Sequence, residues 1–363
     1  MALTVGIVGL PNAGKSSLFN ALSRAGAAVA SYPFTTIEPH HGVAPVPDPR
    51  LAAVASVTHP DRTIPATVDF VDIAGLVRGA ARGEGLGNQF LAHIREVDAL
   101  AHVVRCFPAP DVPHVEGALD PIRDLEIVET ELALSDLAVV ERELERVRTR
   151  VKAHDPSAPG DVAVLEEVAS HLQRGIPVRH LPRDAHREAL LLPLRLLTAK
   201  PVVYVANVDD ADLPAALSAA SVAQYADAQH APQVALSAKL EAEAAQLSDG
   251  EVAEFLRAYG IAEPGLLRLI HLAYEMLGLV TFFTAASKEV RAWPVPRGTT
   301  APRAAGKIHT DMERGFIRAE VIGWEVLVQS GSLLTARDRG LVRLEGKDYV
   351  VQDGDVMLFR FAV

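Results

Sequence analysis

Short apolar, β-branched segments alternate with amphipathic segments along most of the chain. The strand-like segments are residues 3–8, 66–71, 99–107, 201–206 and 233–236. Segment 201–206, PVVYVA, is almost continuously apolar, as expected of a strand that is buried on both faces. Strands that alternate with helices predict a parallel sheet covered by helices. The pattern therefore predicts an α/β fold.

Residues 121–155 interrupt this alternation. Apolar residues recur there every three or four positions, at Leu137, Val140, Leu144, Val147 and Val151. Such a narrow stripe is typical of a coiled-coil seam. After a turn at 155–160, DPSAPG, the stripe continues over residues 162–172. We expect an antiparallel helical hairpin inserted into the α/β part, either as a solvated arm or as an arm that contacts a partner.

The chain becomes rich in strand-like segments after residue 278. Segments 280–284 and 289–293 predict strands, and segments 345–351 and 355–361 predict a closing strand pair around the turn 352–354. The expected organisation is an α/β domain over 1–118 and 196–278, a helical insert over 119–195, and a β-rich domain over 279–363.

The stretch GLPNAGKSS, residues 9–17, fits the phosphate-binding P-loop pattern between a predicted strand and a predicted helix. Backbone N–H groups and the start of a helix form an anion site in this arrangement. The lysine of the pattern reaches the β- and γ-phosphates, and the following serine binds Mg²⁺. The predicted phosphate-binding residues are Asn12, Ala13, Gly14, Lys15, Ser16 and Ser17.

Two further segments suit a magnesium nucleotide. The sequence Asp72-Ile73-Ala74-Gly75 ends a predicted strand, where ligands bind in open α/β sheets. Its aspartate is suited to hold Mg²⁺ through water, and the Gly75 N–H to bind the γ-phosphate. Thr36, which we prefer over its neighbour in the loop PFTTIEP, can complete the metal coordination. The predicted Mg²⁺ ligands are thus Ser16, Thr36 and Asp72.

The sequence gives mixed evidence about the base. NVDD, residues 207–210, departs from the guanine-reading pattern Asn-Lys-x-Asp because Val208 replaces the lysine. Asp210 retains the carboxylate that suits guanine. Ser237 begins a Ser-Ala-Lys sequence that is similar to a base-contacting loop. Both ATP and GTP remain open at this point.

Composition excludes several classes of protein. The net charge of −11 argues against a wholly basic nucleic-acid binder, although residues 279–363 carry 12 basic and 10 acidic side chains. A single cysteine, Cys106, permits no internal disulfide. The chain has no apolar run of membrane-spanning length and no pattern of a signal peptide. We expect a cytoplasmic protein that does not bind membranes.

Taken together, these segments resemble the YchF, or Obg-like ATPase, family. The resemblance rests on GLPNAGKSS, PFTTIEP, DIAGLVRGAARGEGLGNQFL, VVRCF, NVDD, SAKLE and AAGKIHTDMERGFIRAE, and it covers essentially the whole chain. It implies a Ras-like P-loop NTPase domain, an inserted coiled coil and a C-terminal TGS domain. It also implies slow, Mg²⁺-dependent hydrolysis of ATP in preference to GTP, and ribosome binding that includes the large subunit.

The resemblance also implies roles for single residues. Leu76 stands where Ras-like GTPases place a catalytic glutamine, and His114, in a loop, is implied as the group that positions water instead. Asn207 and the backbone at Val208 are implied to read adenine. Asp210 departs from the glutamate usual in the family, which leaves strict ATP preference open. Some relatives have a cysteine where this chain has Thr35, so no thiol chemistry is expected there.

Three functions remain open on this evidence: a slow ATPase switch, a GTPase switch that needs an activator, and a binding module in which hydrolysis matters little. A basic group of residues in the C-terminal part either forms a solvated face or contacts RNA. Its members are Lys288, Arg291, Arg297, Arg303 and Lys307.

Overall fold

A computed structural model describes residues 3–25, 41–73, 79–80, 87–109, 112–213, 215–285 and 288–362. Its strands are β1 Thr4–Val8, β2 His41–Pro45, β3 Arg62–Ile64, β4 Thr67–Asp72, β5 Ala99–Arg105, β6 Val202–Asn207, β7 Gln233–Leu236, β8 Leu279–Ala285, β9 Glu289–Pro296, β10 Phe316–Gly323, β11 Arg343–Glu345 and β12 Asp355–Phe361. Its helices are α1 Lys15–Ala25, α2 Pro49–Thr58, α3 Gly87–Glu96, α4 Pro121–Lys152, α5 Ala158–Gln173, α6 Ala185–Leu191, α7 Ala220–Ala228, α8 Ala238–Ala244, α9 Asp249–Ala258, α10 Gly265–Met276, α11 Ala301–Ile308, α12 Thr310–Arg314, α13 Trp324–Ser330 and α14 Leu333–Asp338.

The first sheet has six strands in the order β2-β4-β1-β5-β6-β7. The pairs β1–β4, β1–β5, β5–β6 and β6–β7 are parallel. Every residue of β5 and β6 is buried, because helices cover both faces of these central strands. The five strands predicted for this sheet are all present, and the predicted α/β fold class is confirmed.

The predicted helical hairpin is formed by α4 and α5. Its core contains Val140, Leu144 and Val147 of α4 packed with Leu165 and Val168 of α5. The stripe therefore meets the other helix of the hairpin, as the spacing of three and four residues predicts. At the base of the hairpin, the fully buried Asp136 carboxylate accepts hydrogen bonds from the N–H groups of Leu197 and Thr198 at 2.8 and 2.7 Å.

The second sheet is mixed, with the order β11-β10-β12-β8-β9-β3. The predicted strand pair formed by 345–351 and 355–361 is wrong. β12 pairs with β10 on one edge and with β8 on the other, so no edge is left for residues 346–351. Only Arg343–Glu345 forms a strand, and it pairs with β10. The turn between the two segments is held by Asp353, whose carboxylate binds Arg50 at 2.7 Å and the Thr281 N–H at 2.8 Å.

The chain divides into two compact units. Of the described residues, one unit contains those in 3–25, 41–42 and 69–273, and the other contains those in 43–68 and 274–362. The helical insert is not separated from the nucleotide-binding part by this division. Residues 43–68, which we expected in the nucleotide-binding domain, lie in the second unit, where β3 forms the edge of the mixed sheet by pairing with β9. Within the described ranges, no helix is both long and apolar enough to cross a bilayer.

The buried Asp136 gives a stability prediction. Asp136→Ala should lower the free energy of unfolding by about 2–4 kcal/mol, because it leaves the buried N–H groups of Leu197 and Thr198 and the Thr198 hydroxyl without their acceptor. Urea denaturation followed by circular dichroism measures the change. Glu145→Ala on the same helix is the control, since Glu145 is exposed and its ion pair with Arg148 should contribute less than about 1 kcal/mol. Equal losses in the two variants would contradict the prediction.

Candidate nucleotide-binding site

The candidate site lies at the carboxyl ends of the parallel strands, where the P-loop connects β1 to α1. Two glycines of this loop have no room for a side chain. A Cβ on Gly9 would lie 2.2 Å from the carbonyl oxygen of Val103, and one on Gly14 would lie 2.1 Å from Nδ2 of Asn207. Gly14 also has a φ of +98°, which favours glycine. The motif therefore needs glycine at both positions, because β5 lies against Gly9 and the end of β6 lies against Gly14.

Lys15 lies inside this loop, at the first turn of α1. Its side chain is buried, and Nζ donates a hydrogen bond to the carbonyl oxygen of Leu10 at 2.9 Å. Burial lowers the pKa of Lys15 to about 8, and the negative charge of Asp72 opposes part of this shift. A buried ammonium group that is costly to keep charged gains from a nearby anion, so this position suits a phosphate.

Ser16 and Asp72 come together as the magnesium prediction requires. Ser16 Oγ donates to Asp72 Oδ2 at 3.3 Å. The other oxygen, Asp72 Oδ1, is buried and has no hydrogen-bond partner among the described residues. Hydroxyl and carboxylate oxygens are the ligands that Mg²⁺ prefers, and an unsatisfied buried oxygen fits a cation or its bound water. Thr36, Gly75, Leu76 and Thr35 lie outside the described residues.

Asn207 fastens the P-loop to the segment after β7. Its Nδ2 donates to the carbonyl oxygen of Ala13 at 2.9 Å, and its Oδ1 accepts from the Ala238 N–H at 3.0 Å. Val208 is buried in the core, and its N–H donates to the carbonyl oxygen of Leu236 at 2.9 Å. The predicted base-contacting residues are thus brought together, but the Asn207 amide and the Val208 N–H already have partners within the protein.

Asp210 is also paired. Ser237 Oγ donates to its Oδ1, and Lys239 Nζ donates to its Oδ2 at 2.9 Å. Burial alone would raise the pKa of this carboxyl group, but the bonds from Lys239 and Ser237 hold it below its usual value. The carboxylate is therefore charged, and each of its oxygens accepts one hydrogen bond. A guanine base would have to share this carboxylate with Lys239 and Ser237.

His114 is held by both of its ring nitrogens. Nε2 lies 2.7 Å from Oδ2 of Asp124, in the first turn of α4, and Nδ1 accepts a hydrogen bond from the Glu116 N–H at 3.2 Å. Because Nδ1 is the acceptor, the proton of a neutral ring lies on Nε2. The P-loop reaches the same segment, since Asn12 Nδ2 donates to the carbonyl oxygen of Pro113 at 3.1 Å. The sequence did not identify Asp124 as the partner of His114.

Arg105, at the end of β5, is a second residue that sequence reasoning missed. Its buried guanidinium group binds three carbonyl oxygens of the segment that leads to His114, those of Phe107, Ala109 and Val112, at 3.0–3.1 Å. The arginine in the otherwise apolar VVRCF was the available signal, because an arginine is rarely buried without partners.

Curated relatives match the chain over its full length. The "Ribosome-binding ATPase YchF" of Haemophilus ducreyi is 50% identical over 363 residues, and that of Bacillus subtilis is 47% identical over 366 residues, with 100% of each chain covered. The chain belongs to the YchF family. The resemblance seen in the motifs is thereby confirmed.

Two family models and a solved structure agree with this assignment. The model described as "50S ribosome-binding GTPase" matches residues 4–142, and the YchF C-terminal model, described as "Protein of unknown function (DUF933)", matches residues 279–362. The solved YchF GTPase of Schizosaccharomyces pombe is similar with a TM-score of 0.89 and 34% identity, covering 99% of this chain and 97% of that one. The YchF family fold therefore extends over both compact units.

The lowered pKa of Lys15 gives a prediction about nucleotide binding. Phosphate oxygens should raise this pKa again, so binding at about pH 8 should take up protons, and the affinity should fall as the pH rises above about 8. Calorimetric titration in buffers of different ionisation enthalpy measures the uptake. Lys15→Arg should remove it, because a guanidinium group stays protonated in this range. Identical enthalpies in all buffers for the unaltered protein would contradict the prediction.

Proposed function

We propose that this YchF-family protein is a cytoplasmic, ribosome-associated and Mg²⁺-dependent nucleoside triphosphatase that prefers ATP to GTP. Its slow hydrolysis would be coupled to a conformational switch. The observation that carries the proposal is the P-loop, with its buried Lys15, in a chain 50% identical over its full length to a relative named a ribosome-binding ATPase.

The P-loop supplies the phosphate contacts in this proposal. The N–H groups of residues 12–17 and the Lys15 ammonium group bind the β- and γ-phosphates. Ser16 and Thr36 bind Mg²⁺, and Asp72 holds it through water. When bound, the metal neutralises charge on the phosphate oxygens. Gly75 contacts the γ-phosphate through its N–H group, so that loss of this phosphate releases the segment after β4.

His114 is assigned to the attacking water. Leu76 has no polar group with which to orient water, and an imidazole nitrogen can accept a hydrogen bond from it near neutral pH. The link from Asn12 to Pro113 supports this assignment, because it brings the backbone beside His114 against the P-loop. Slow hydrolysis is expected, since the ring must first leave its present partners.

The preference for ATP is supported by the state of Asp210. Guanine presents N–H donors that need an acceptor, whereas N1 of adenine is itself an acceptor. Both oxygens of Asp210 already accept hydrogen bonds from Ser237 and Lys239. The remaining carboxylate at this position is the feature that favours GTP as the alternative substrate.

Base preference can be measured directly. In calorimetric titrations with Mg²⁺, ATPγS should bind at least about tenfold more tightly than GTPγS, a difference of about 1.4 kcal/mol. Asp210→Asn tests the carboxylate: under the proposal it leaves ATPγS affinity within a few-fold. Tighter binding of GTPγS, lost in Asp210→Asn, would favour the GTPase alternative. Lys15→Ala should abolish binding of both nucleotides.

Contact with ribosomal RNA, including that of the large subunit, is assigned to the C-terminal TGS-like part. Four of its basic residues are exposed: Lys288, Arg297, Arg303 and Lys307. Arg291 lies over the ring of Trp293, with its guanidinium carbon 4.0 Å from the ring centroid. Exposed cations in one domain suit a polyanion such as RNA, and an arginine stacked on an aromatic ring can add to such a contact.

Ribosome binding should therefore depend steeply on salt. Arg291→Ala and Arg303→Ala should each weaken binding in cosedimentation assays and reduce the salt slope by about one. Arg360→Ala is the matched control, because Arg360 is already paired with Glu320 at 2.9 Å. Ribosome binding that does not weaken as the salt concentration rises would overturn the proposed RNA contact. Full ribosome binding by Lys15→Ala at every nucleotide concentration would favour a binding module in which hydrolysis matters little.

A further inference from the structure

Both ring nitrogens of His114 are engaged within the protein, so the ring must move before it can orient water. A histidine that orients water needs one ring nitrogen facing that water. Here Nε2 is bonded to Asp124 and Nδ1 to the Glu116 N–H. The His114 side chain is only 10% exposed, and that of Asp124 only 5%. The His114 ring is therefore held against the first turn of α4.

The contact between His114 and Asp124 is a strong one by its geometry. The distance of 2.7 Å is short for a nitrogen–oxygen hydrogen bond and is typical of a charged acceptor. The second oxygen of Asp124 accepts a hydrogen bond from Arg123 Nη2 at 3.2 Å, which orients the carboxylate. Pro113, the residue before His114, is attached to the P-loop, because Asn12 Nδ2 donates to its carbonyl oxygen at 3.1 Å.

A second acid on the same helix holds a second segment near the predicted switch. Glu131 lies seven residues, or two turns, after Asp124 and is buried. Its Oε1 accepts a hydrogen bond from the Gly79 N–H at 2.7 Å, in the segment that follows Asp72. The same helix continues into the hairpin as far as Lys152. One helix therefore fixes both segments that hydrolysis is proposed to move.

We propose that Asp124 is a latch: it holds the His114 ring in a resting position, so that hydrolysis requires this contact to break. The latch rests on the proposed role of His114 in orienting water.

Hydrolysis of Mg²⁺–ATP by the full chain without ribosomes tests the latch. Asp124→Asn should raise kcat by roughly three- to tenfold, because a neutral acceptor holds the ring less strongly than a charged one. Asp120→Asn is the matched control: it removes the same charge from the same helix end, where Asp120 caps the Arg123 N–H and does not contact His114. That control should leave kcat unchanged. The double variant Asp124→Asn/His114→Ala should show no gain over His114→Ala.

The opposite results separate the alternatives. A lower kcat in Asp124→Asn would mean that Asp124 orients a productive His114, and an unchanged kcat would mean that the contact restrains nothing; either overturns the latch. Hydrolysis by His114→Ala at the unaltered rate would instead overturn the proposed role of His114 itself.

A spectroscopic measurement tests the latch without relying on activity. In protein labelled with ¹⁵N-histidine, the signal assigned by its loss in His114→Ala should show the proton fixed on Nε2. In Asp124→Asn the Nε2 proton should exchange faster with water, because its charged acceptor is gone. A ring that averages between its tautomers in the unaltered protein would overturn the latch, whatever the kinetics.

Discussion

The long helix α4 carries four buried carboxylates. Each of them holds a neighbouring segment of the chain in place through a hydrogen bond or ion pair. Asp124 binds His114, and Glu131 binds the Gly79 N–H. Two more acids hold the framework: Glu129 accepts from Arg179 and Tyr204, both at 2.9 Å, and Asp136 accepts from Leu197 and Thr198. Buried charges are costly unless they are paired, so each acid fixes its partner more firmly than an apolar contact would.

These four contacts divide into two kinds. Asp136 and Glu129 connect the helix to segments that form the core, so breaking them would unfold part of the molecule. Asp124 and Glu131 connect it to loops beside the nucleotide site, so breaking them would only move a loop.

Polar side chains at the candidate nucleotide site are likewise bonded to other groups of the protein. Asn207 joins the P-loop to the start of α8, and Asp210 forms an ion pair with Lys239. The side chains that a sequence motif suggests as readers of the base are therefore committed to holding the site together. In the proposed function, phosphate recognition therefore falls to Lys15 and the loop N–H groups, which suit the charge of a triphosphate.

The sequence by itself determined the local elements of this protein. The P-loop, the strand ending at Asp72 and the helical hairpin follow from glycine spacing and apolar periodicity, which act over a few residues. Only the tertiary structure decided which strand edges were free, so the pairing expected for 345–351 failed and β3 joined the second sheet. It also decided the partners of Arg105, Asp124 and Asp210. Those pairings join residues whose meeting depends on the packing of whole elements, and no local pattern in the chain encodes it.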